Sequence, residues 1–163
     1  MQKADDLARI YLARHCKTKW NLENRLIGTT DLPLCEEGIE EAKANLPRIE
    51  KLGIDRIISS NLKRAYQTAK IYAEHLKVPL HICSGLREID HGSWNGQKLQ
   101  ELLNDSQSNF KKWFDDPTSI SIPDGTETIL SAQKRIVETI KKIALKYPGE
   151  TILVVMHKHI RSI

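Results

Sequence analysis

The sequence predicts an α/β fold, a three-layer sandwich in which helices flank a mostly parallel sheet. One observation behind this prediction is that short apolar stretches alternate along the chain with helical patterns of apolar residues. The other is that GETILVVMH, residues 149–157, holds a continuous apolar run, which is typical of a strand buried on both faces of a parallel sheet. Because 163 residues, 40% of them hydrophobic, can form one core, we predict a single domain over residues 1–163.

The first third of the chain predicts one strand and one helix. Residues 7–13 form a short apolar stretch that predicts the first strand. A loop rich in Gly, Thr, Asp and Pro follows at residues 28–33, and residues 36–53 then show helical periodicity. Pro47 is expected to kink or interrupt that helix. The positions predicted to face the core are Ile39, Ala42, Leu46 and Ile49.

The middle of the chain repeats this alternation. Residues 55–60 predict a second strand and residues 79–83 a third. Between them a helix is expected to begin at Ser60, whose hydroxyl suits an N-cap. Its predicted inward-facing residues are Leu62, Ala65, Thr68, Ala69, Tyr72 and Leu76.

The last part of the chain combines an irregular segment with a long helix. Residues 84–126 are less periodic and contain several Gly and Pro residues. We therefore expect loops and short helices there, with residues 89–126 acting as a lid over a site. Residues 127–147 predict a helix that leads into the final strand.

Composition and charge limit the function classes. The net charge of +4 suits a small anionic substrate, but no basic run of the kind that binds nucleic acid is present. Three cysteines without CxxC spacing argue against a disulfide framework and favour a reducing compartment. Residues 1–15 contain charges and no long apolar run. We therefore expect neither a signal peptide nor a membrane span, and a cytoplasmic location.

Polar side chains gather where the predicted strands end. In open α/β sheets the ligand lies outside the carboxyl ends of the strands. Phosphoryl transfer needs the residue types found there: an unprotonated histidine as nucleophile, arginines for phosphate oxygens and a carboxylate for proton transfer. The candidates are Arg14, His15, Ser59, Ser60, Arg64, Arg87, Glu88, His157, Lys158 and His159.

The His15–Cys16 pair raises the question of which side chain is the nucleophile. Cysteine-dependent phosphatases carry His-Cys, five further residues and then an arginine. Here that position holds Leu22, and Arg25 lies three residues too late. The spacing therefore excludes the cysteine-phosphatase reading.

Several motifs resemble one family throughout the chain. RHCKTKWN (residues 14–21) is similar to the R-H-G-x-T-x-W-N signature of the histidine phosphatase superfamily, the phosphoglycerate mutase-like proteins. PLCEEG (33–38), SSNLKRAYQTA (59–69), LREIDHGSWNG (86–96) and VVMH (154–157) resemble the family's later motifs in the same order. Joint occurrence over residues 7–161 makes the resemblance specific, and it implies a phosphoglycerate mutase-like fold.

The resemblance implies a role for each matching residue. His15 would be the nucleophile that becomes phosphohistidine, and Glu88 would be the general acid and base. His157 would be the second catalytic histidine and would also bind phosphate. Phosphate would further be bound by Arg14, Asn21 and Arg64.

Four features depart from the family pattern. Cys16 stands where the family has glycine, which predicts backbone strain if that position needs a positive φ. Cys35 replaces a threonine and loses an N-cap oxygen. Lys158 replaces the glycine after the second histidine, and Arg161 lies one residue early. Family members usually continue with a further helix and strand, so we expect C-terminal elements to be missing and an uncovered sheet edge to favour a homodimer.

These observations favour a metal-independent phosphomonoester hydrolase acting on a small phosphorylated metabolite. A phosphoglycerate mutase-type phosphotransferase is the second hypothesis, and a catalytically impaired relative that binds phosphate ligands is the third. Nucleic-acid binding ranks far below these because no basic stripe with interleaved aromatic residues is present. His157 and His159 form an H-x-H pair, but no further ligands have matching spacing, so we expect no metal and no cofactor.

Overall fold

The computed structural model describes residues 7–161, and for residues 160 and 161 only the backbone. Four strands form a single sheet in the order β1-β4-β2-β3, and every described pairing is parallel. Residues 1–6, where we expect no signal peptide, lie outside the described part. The strands are β1 (Arg9–Arg14), β2 (Arg56–Ser59), β3 (Leu80–Ile82) and β4 (Thr151–Met156).

Helices lie on both faces of the sheet, as a three-layer fold requires. Between β1 and β2 lie α1 (Lys19–Leu22), α2 (Glu36–Ala44) and α3 (Leu46–Glu50), and α4 (Lys63–Leu76) joins β2 to β3. Between β3 and β4 lie α5 (Leu99–Asn104), α6 (Phe110–Asp115) and α7 (Ile129–Lys146), and α8 (Lys158–Arg161) follows β4. Within the described residues, no helix is long and apolar enough to cross a membrane.

Strand β4 is the centre of the core, as its uninterrupted apolar sequence predicts. It pairs with β1 on one side and β2 on the other. Ile152, Val154 and Met156 pack into the core under α7, while Leu153 and Val155 pack into the core under α2 and α4. Successive side chains of a strand point to opposite faces, so this one strand supplies both cores and confirms the predicted α/β sandwich.

The predicted helix over residues 36–53 is interrupted, as Pro47 indicates. It divides into α2 and α3 at Asn45, and Pro47 lies in the first turn of α3, where a missing N–H costs little. Ala42 and Ile49 face the core as predicted. The prediction for Ile39 is wrong, because its side chain is 37% exposed. Gly38 and Ala42, one turn apart, are the buried residues of α2, and Ile39 lies at the edge of that face.

Helix α4 begins later than its sequence suggests. Its N-cap is Leu62, not Ser60, so the predicted cap is wrong. Ser60 lies in the turn before the helix, where its hydroxyl accepts the N–H of Leu62 at 3.3 Å. The same hydroxyl contacts His157, as described below, and that contact fixes the residue in the turn.

Residues 89–126 form a packed layer with short helices and loops. Trp94, Leu102, Phe110 and Trp113 are all nearly fully buried and belong to the core that also contains β4. The three aromatic rings among them meet edge to face or tilted, and the ring centroids of Trp94 and Phe110 lie 5.1 Å apart. This aromatic packing fixes the segment over one end of the sheet.

The turn after β1 leaves no room for a side chain at Gly38. A Cβ built there would lie 2.0 Å from the carbonyl oxygen of Lys17, which already accepts the N–H of Cys35 at 3.1 Å. We therefore expect Gly38→Ala to lower the free energy of unfolding by about 3 kcal/mol, since backbone must move. Urea unfolding measures this loss.

Gly53→Ala is the matched control. Nothing lies within 4 Å of a Cβ at Gly53, whose φ is +62°, so only the left-handed conformation opposes the change. We expect a loss of about 1 kcal/mol there. Equal losses in the two variants would show that the Lys17 carbonyl is not the obstacle.

Candidate active site

A cavity of about 430 Å³ lies at the end of the sheet where the strands' carboxyl ends meet. It has polar groups at its deep end and an aromatic wall from α6. Beside it, His157 is fully buried, with its ring centroid 5.3 Å from that of His15. The other five residues predicted for the site all line the cavity: Arg14, His15, Asn21, Arg64 and Glu88.

His15 is held in one orientation directly after β1. Its Nδ1 lies 2.7 Å from the carbonyl oxygen of Cys16, which can only accept, so Nδ1 carries the proton. Nε2 therefore keeps its lone pair, and the Nε–H of Arg64 donates to it at 3.2 Å. Burial and the charge of Arg64 lower the pKa of His15 to about 3. The imidazole is neutral at physiological pH.

Arg64 is 1% exposed although it begins an otherwise amphipathic helix. Its Nη1 donates to the carbonyl of Thr30 at 2.8 Å and its Nη2 to that of Gly28 at 2.7 Å. Burial lowers the pKa of Arg64 to about 10, which leaves it charged at neutral pH. The 28–33 loop therefore fixes a buried cation against the lone pair of His15.

His157 follows β4, and its ring is oriented by Ser60, which directly follows β2. Its Nε2 lies 2.8 Å from the hydroxyl of Ser60, whereas its buried Nδ1 has no hydrogen-bond partner within the described residues. Burial and the nearby charge of Arg64 hold the pKa of His157 well below its ordinary value. One nitrogen is thus anchored and the other is left for a ligand.

Glu88 is a buried carboxylate, 4% exposed, that lines the same cavity as His15 and Arg64. Its Oε1 accepts its neighbour Ile89's N–H at 3.0 Å, and its Oε2 accepts that of His159 at 3.2 Å. Burial by itself would raise the pKa of Glu88, but the hydrogen bond and charge of His159 outweigh it and hold the pKa below the usual range. The carboxylate is therefore ionised at neutral pH.

The turn that carries Glu88 is held by α7. Arg135 donates from Nη1 to the carbonyls of Gly85 and Arg87, at 2.7 and 3.0 Å. Its Nε also donates to the carboxylate of Glu127 at 3.0 Å. A guanidinium that bridges two carbonyls fixes the backbone just before Glu88, so the carboxylate is positioned by the helix behind it.

Arg14 at the end of β1 and Asn21 in α1 both line the cavity. Arg14 ends β1 and is exposed. Asn21 uses its Oδ1 to accept the backbone N–H and the hydroxyl of Thr18, each at 3.0 Å, in the capping box of α1. Its Nδ2 is therefore the group that can donate to a phosphate oxygen.

The strain expected at Cys16 is absent. Cys16 does not lie in the left-handed region, its N–H donates to the hydroxyl of Thr68 at 3.0 Å, and its sulfur lies 3.6 Å from the Tyr72 hydroxyl. The predicted strain depended on a positive φ at this position, and that condition is not met, so this turn accepts a Cβ. At Cys35 the predicted loss of a cap is confirmed, since no side-chain hydrogen bond caps α2.

His159 is a candidate that the sequence placed at the end of the last strand and in an H-x-H pair, without assigning it a role in phosphate chemistry. Its Nδ1 lies 3.4 Å from Glu88, and its ring packs edge-on against His91 at 4.7 Å. Its position two residues after His157 was the available signal. Within the described residues, no group of three or more His, Cys, Asp or Glu side chains could hold a metal ion. The side chain of Arg161 lies outside the described part.

Comparisons with known proteins place the chain among relatives of one family. The profile of the histidine phosphatase superfamily (branch 1) matches residues 10–163. The chain is 29% identical to phosphoserine phosphatase 1 of Hydrogenobacter thermophilus, over 93% of this chain and 71% of that protein. It is 32% identical to phosphoglycerate mutase-like protein 4 of Arabidopsis thaliana, over 93% and 67%. The solved structure of Bacillus stearothermophilus YhfR superposes with a TM-score of 0.85 at 32% identity, covering 94% and 76%.

The buried neutral imidazoles predict that stability falls as the pH is lowered. Burial is the largest cause that lowers the pKa of His15 and of His91 to about 3, and that of His157 also lies well below its ordinary value. The unfolded chain therefore takes up protons first, and the free energy of unfolding decreases from about pH 6.5 downward. Each imidazole lowers the free energy of unfolding by at most about 1.4 kcal/mol per pH unit.

Unfolding midpoints measured by urea between pH 7 and 5 check this. The lowered pKa of Glu88 acts in the same direction, but only below its ordinary value of 4.5, so the window from pH 6.5 to 4.5 reports the histidines. His91→Phe should reduce the slope by roughly one third, since it removes one of three such groups. A stability that is constant from pH 7 to 5 would contradict the neutral buried imidazoles.

Burial also predicts unequal thiol reactivity. Burial raises the pKa of the Cys16 thiol, which is 3% exposed, whereas Cys35 and Cys83 are half-buried. Thiolate is the reactive form, so native protein should react quickly with Ellman's reagent at two thiols and slowly at the third. Cys16→Ala should remove only the slow phase, and Cys35→Ala only part of the fast phase. Uniform reaction of all three thiols would contradict the burial of Cys16.

Proposed function

The chain belongs to the histidine phosphatase superfamily, and on that premise we propose that it is a metal-independent phosphomonoester hydrolase acting through phospho-His15. The observation that carries this proposal is the geometry of His15. Its Nδ1 donates to a carbonyl, which leaves the Nε2 lone pair directed at the guanidinium of Arg64. A neutral imidazole whose lone pair faces a buried cation is suited to attack phosphorus once a phosphoryl oxygen has replaced that contact.

In the first step, Nε2 of His15 forms a bond to phosphorus as the bond from phosphorus to the leaving oxygen breaks. Glu88 donates a proton to that oxygen, so the alcohol departs neutral. The carboxylate is ionised without substrate, but a phosphoryl dianion beside it raises its pKa by like-charge repulsion. Glu88 therefore takes up a proton from solvent when substrate binds, and that proton is the one it donates to the leaving oxygen.

Charge on the transferring group is balanced by fixed donors. Arg64 brings a guanidinium that the carbonyls of Gly28 and Thr30 already orient, and Arg14 adds a second cation at the end of β1. Nδ1 of His157 is buried and without a partner among the described residues. A phosphoryl oxygen would accept its hydrogen, with the hydroxyl of Ser60 donating to Nε2. Such preorganised donors are the main source of stabilisation in phosphoryl transfer.

In the second step, water attacks the phosphohistidine. Glu88, now a carboxylate, takes a proton from that water while oxygen bonds to phosphorus. The bond from phosphorus to Nε2 breaks, and the electron pair returns to the imidazole. Inorganic phosphate leaves, the pKa of Glu88 falls again, and Glu88 releases its proton to solvent, so both His15 and Glu88 return to their starting protonation states.

A mutase-type phosphotransferase is the second candidate, because one relative is named a phosphoglycerate mutase-like protein. A mutase must keep its phosphohistidine long enough to return the phosphoryl group, whereas a hydrolase releases it to water. The lifetime of the phosphoenzyme in buffer separates the two. We propose that turnover is retained in this chain because Cys16 is accommodated without a left-handed backbone.

Phosphoenzyme formation tests the proposal. Rapid quenching after mixing with a ³²P-labelled phosphomonoester in EDTA should trap acid-labile, alkali-stable phosphate on His15, mapped by peptide analysis. His15→Ala should lose the label and reduce kcat/KM at least 1000-fold, since the nucleophile is removed. His75→Ala is the matched control, because His75 lies on the exposed side of α4 near Glu50, and it should keep both label and turnover.

The results separate the alternatives. Label on another residue, or full turnover in His15→Ala, would exclude the phospho-His15 mechanism. Loss of turnover upon addition of EDTA alone would exclude metal independence. A label on His15 that persists in water for minutes and passes to an added alcohol would favour the mutase.

A further inference from the structure

We infer, on the basis of the proposed hydrolase function, that the substrate's alcohol part is neutral and carries an apolar chain or ring. Four side chains of the cavity form what we term the apolar wall: Leu22 of α1, Leu99 of α5, and Phe110 and Phe114 of α6. The phosphoryl end lies at His15, and the wall lines the same cavity. A phosphomonoester bound at His15 would therefore place its alcohol against these side chains.

The exposure of two wall residues is the first observation. Leu22 is 47% exposed and Phe114 is 48% exposed, although Phe114 is on the same short helix as the fully buried Phe110. The Phe110 and Phe114 rings lie 5.9 Å apart and tilted, so the buried ring supports the exposed one. Exposed apolar side chains that line a cavity mark a surface for a ligand.

The charges beyond the phosphate end are the second observation. The Nε of Arg25 donates to Glu23 at 2.6 Å and its Nη1 to the carbonyl of Gly96 at 2.9 Å. Lys17 and Glu41 both line the cavity, and the carboxylate of Glu41 accepts the backbone N–H of Lys17 at 3.0 Å. Arg25 is thus ion-paired, and the charge of Glu41 offsets that of Lys17 in the cavity lining, which disfavours a second anionic group on the substrate.

The remaining cations belong to the phosphate end. Arg14 directly precedes His15, and Lys158 directly follows His157. Besides burial, the charge of Arg14 lowers the pKa of both His15 and His157, so Arg14 lies close to the phosphate end. A cavity of about 430 Å³ is within the range for ligands much larger than a phosphate ion, which leaves space for several carbon atoms along the apolar wall.

A series of alkyl phosphates tests the inference without changing the leaving group. Ethyl, butyl and hexyl phosphate have alcohols of nearly equal acidity, so differences in kcat/KM report contacts along the chain. Full burial of one CH₂ corresponds to about a fourfold gain. Because the wall is half exposed, we expect about twofold per CH₂, or roughly a fifteenfold rise over the four CH₂ groups from ethyl to hexyl phosphate.

Two serine substitutions make the test specific. Phe114→Ser should reduce kcat/KM for hexyl phosphate about fivefold and leave that for ethyl phosphate within twofold, while Phe114→Leu should restore most of the chain-length dependence. Leu145→Ser is the matched control, since Leu145 is 75% exposed on α7 and does not line the cavity. Its chain-length dependence should equal that of the unmodified protein.

The results that would overturn the inference differ from those that would overturn the proposed function. Turnover with no dependence on chain length, or a higher kcat/KM for O-phosphoserine than for hexyl phosphate, would overturn the apolar-substrate inference alone. Absence of turnover with every ester would overturn the hydrolase. Binding of the same alkyl phosphates to His15→Ala by isothermal titration then still decides the inference, because affinity that does not rise with chain length would reject it.

Discussion

The buried guanidinium of Arg64 is the interaction on which the rest of the site depends. A charge removed from water is costly unless fixed groups replace its hydration. Here two loop carbonyls and the lone pair of His15 do so. The loop at residues 28–33, the start of α4 and the end of β1 are thereby held together around one cation. The arrangement also disfavours protonation of His15, so the same contact that satisfies the arginine keeps the histidine nucleophilic.

The sheet makes this contact possible. Because β4 lies between β1 and β2, the ends of all three strands meet, and His15, Ser60 and His157 come together although they are far apart in sequence. Because β4 packs into both cores, its position along β1 and β2 is fixed. The segment at residues 89–126 closes one side of the cavity with packed aromatic rings. Of its two phenylalanines, Phe110 is buried and Phe114 stays half exposed. One buried strand thus sets both the core and the position of the chemistry.

Sequence patterns predicted those features that local chemistry determines. The alternation of strands and helices, the buried final strand and the break at Pro47 all follow from periodicity and backbone chemistry, and all are present. The two misassignments depend on neighbouring residues. Ser60 is a good N-cap by type, but its hydroxyl contacts the imidazole of His157. Ile39 has the right spacing for a buried position, yet it lies at the edge of the face of α2 that Gly38 and Ala42 bury.

The sequence by itself determined the α/β class, the order of its elements and the set of residues that meet at the strand ends, because these depend on spacing and on side-chain type. Only the tertiary structure decided how those residues act on one another. The Nε2 of His15 accepts from Arg64, 49 residues further along the chain, and the orientation of Arg64 depends on carbonyls more than thirty residues away. Distances of this kind are set by packing between distant segments, which no local pattern encodes.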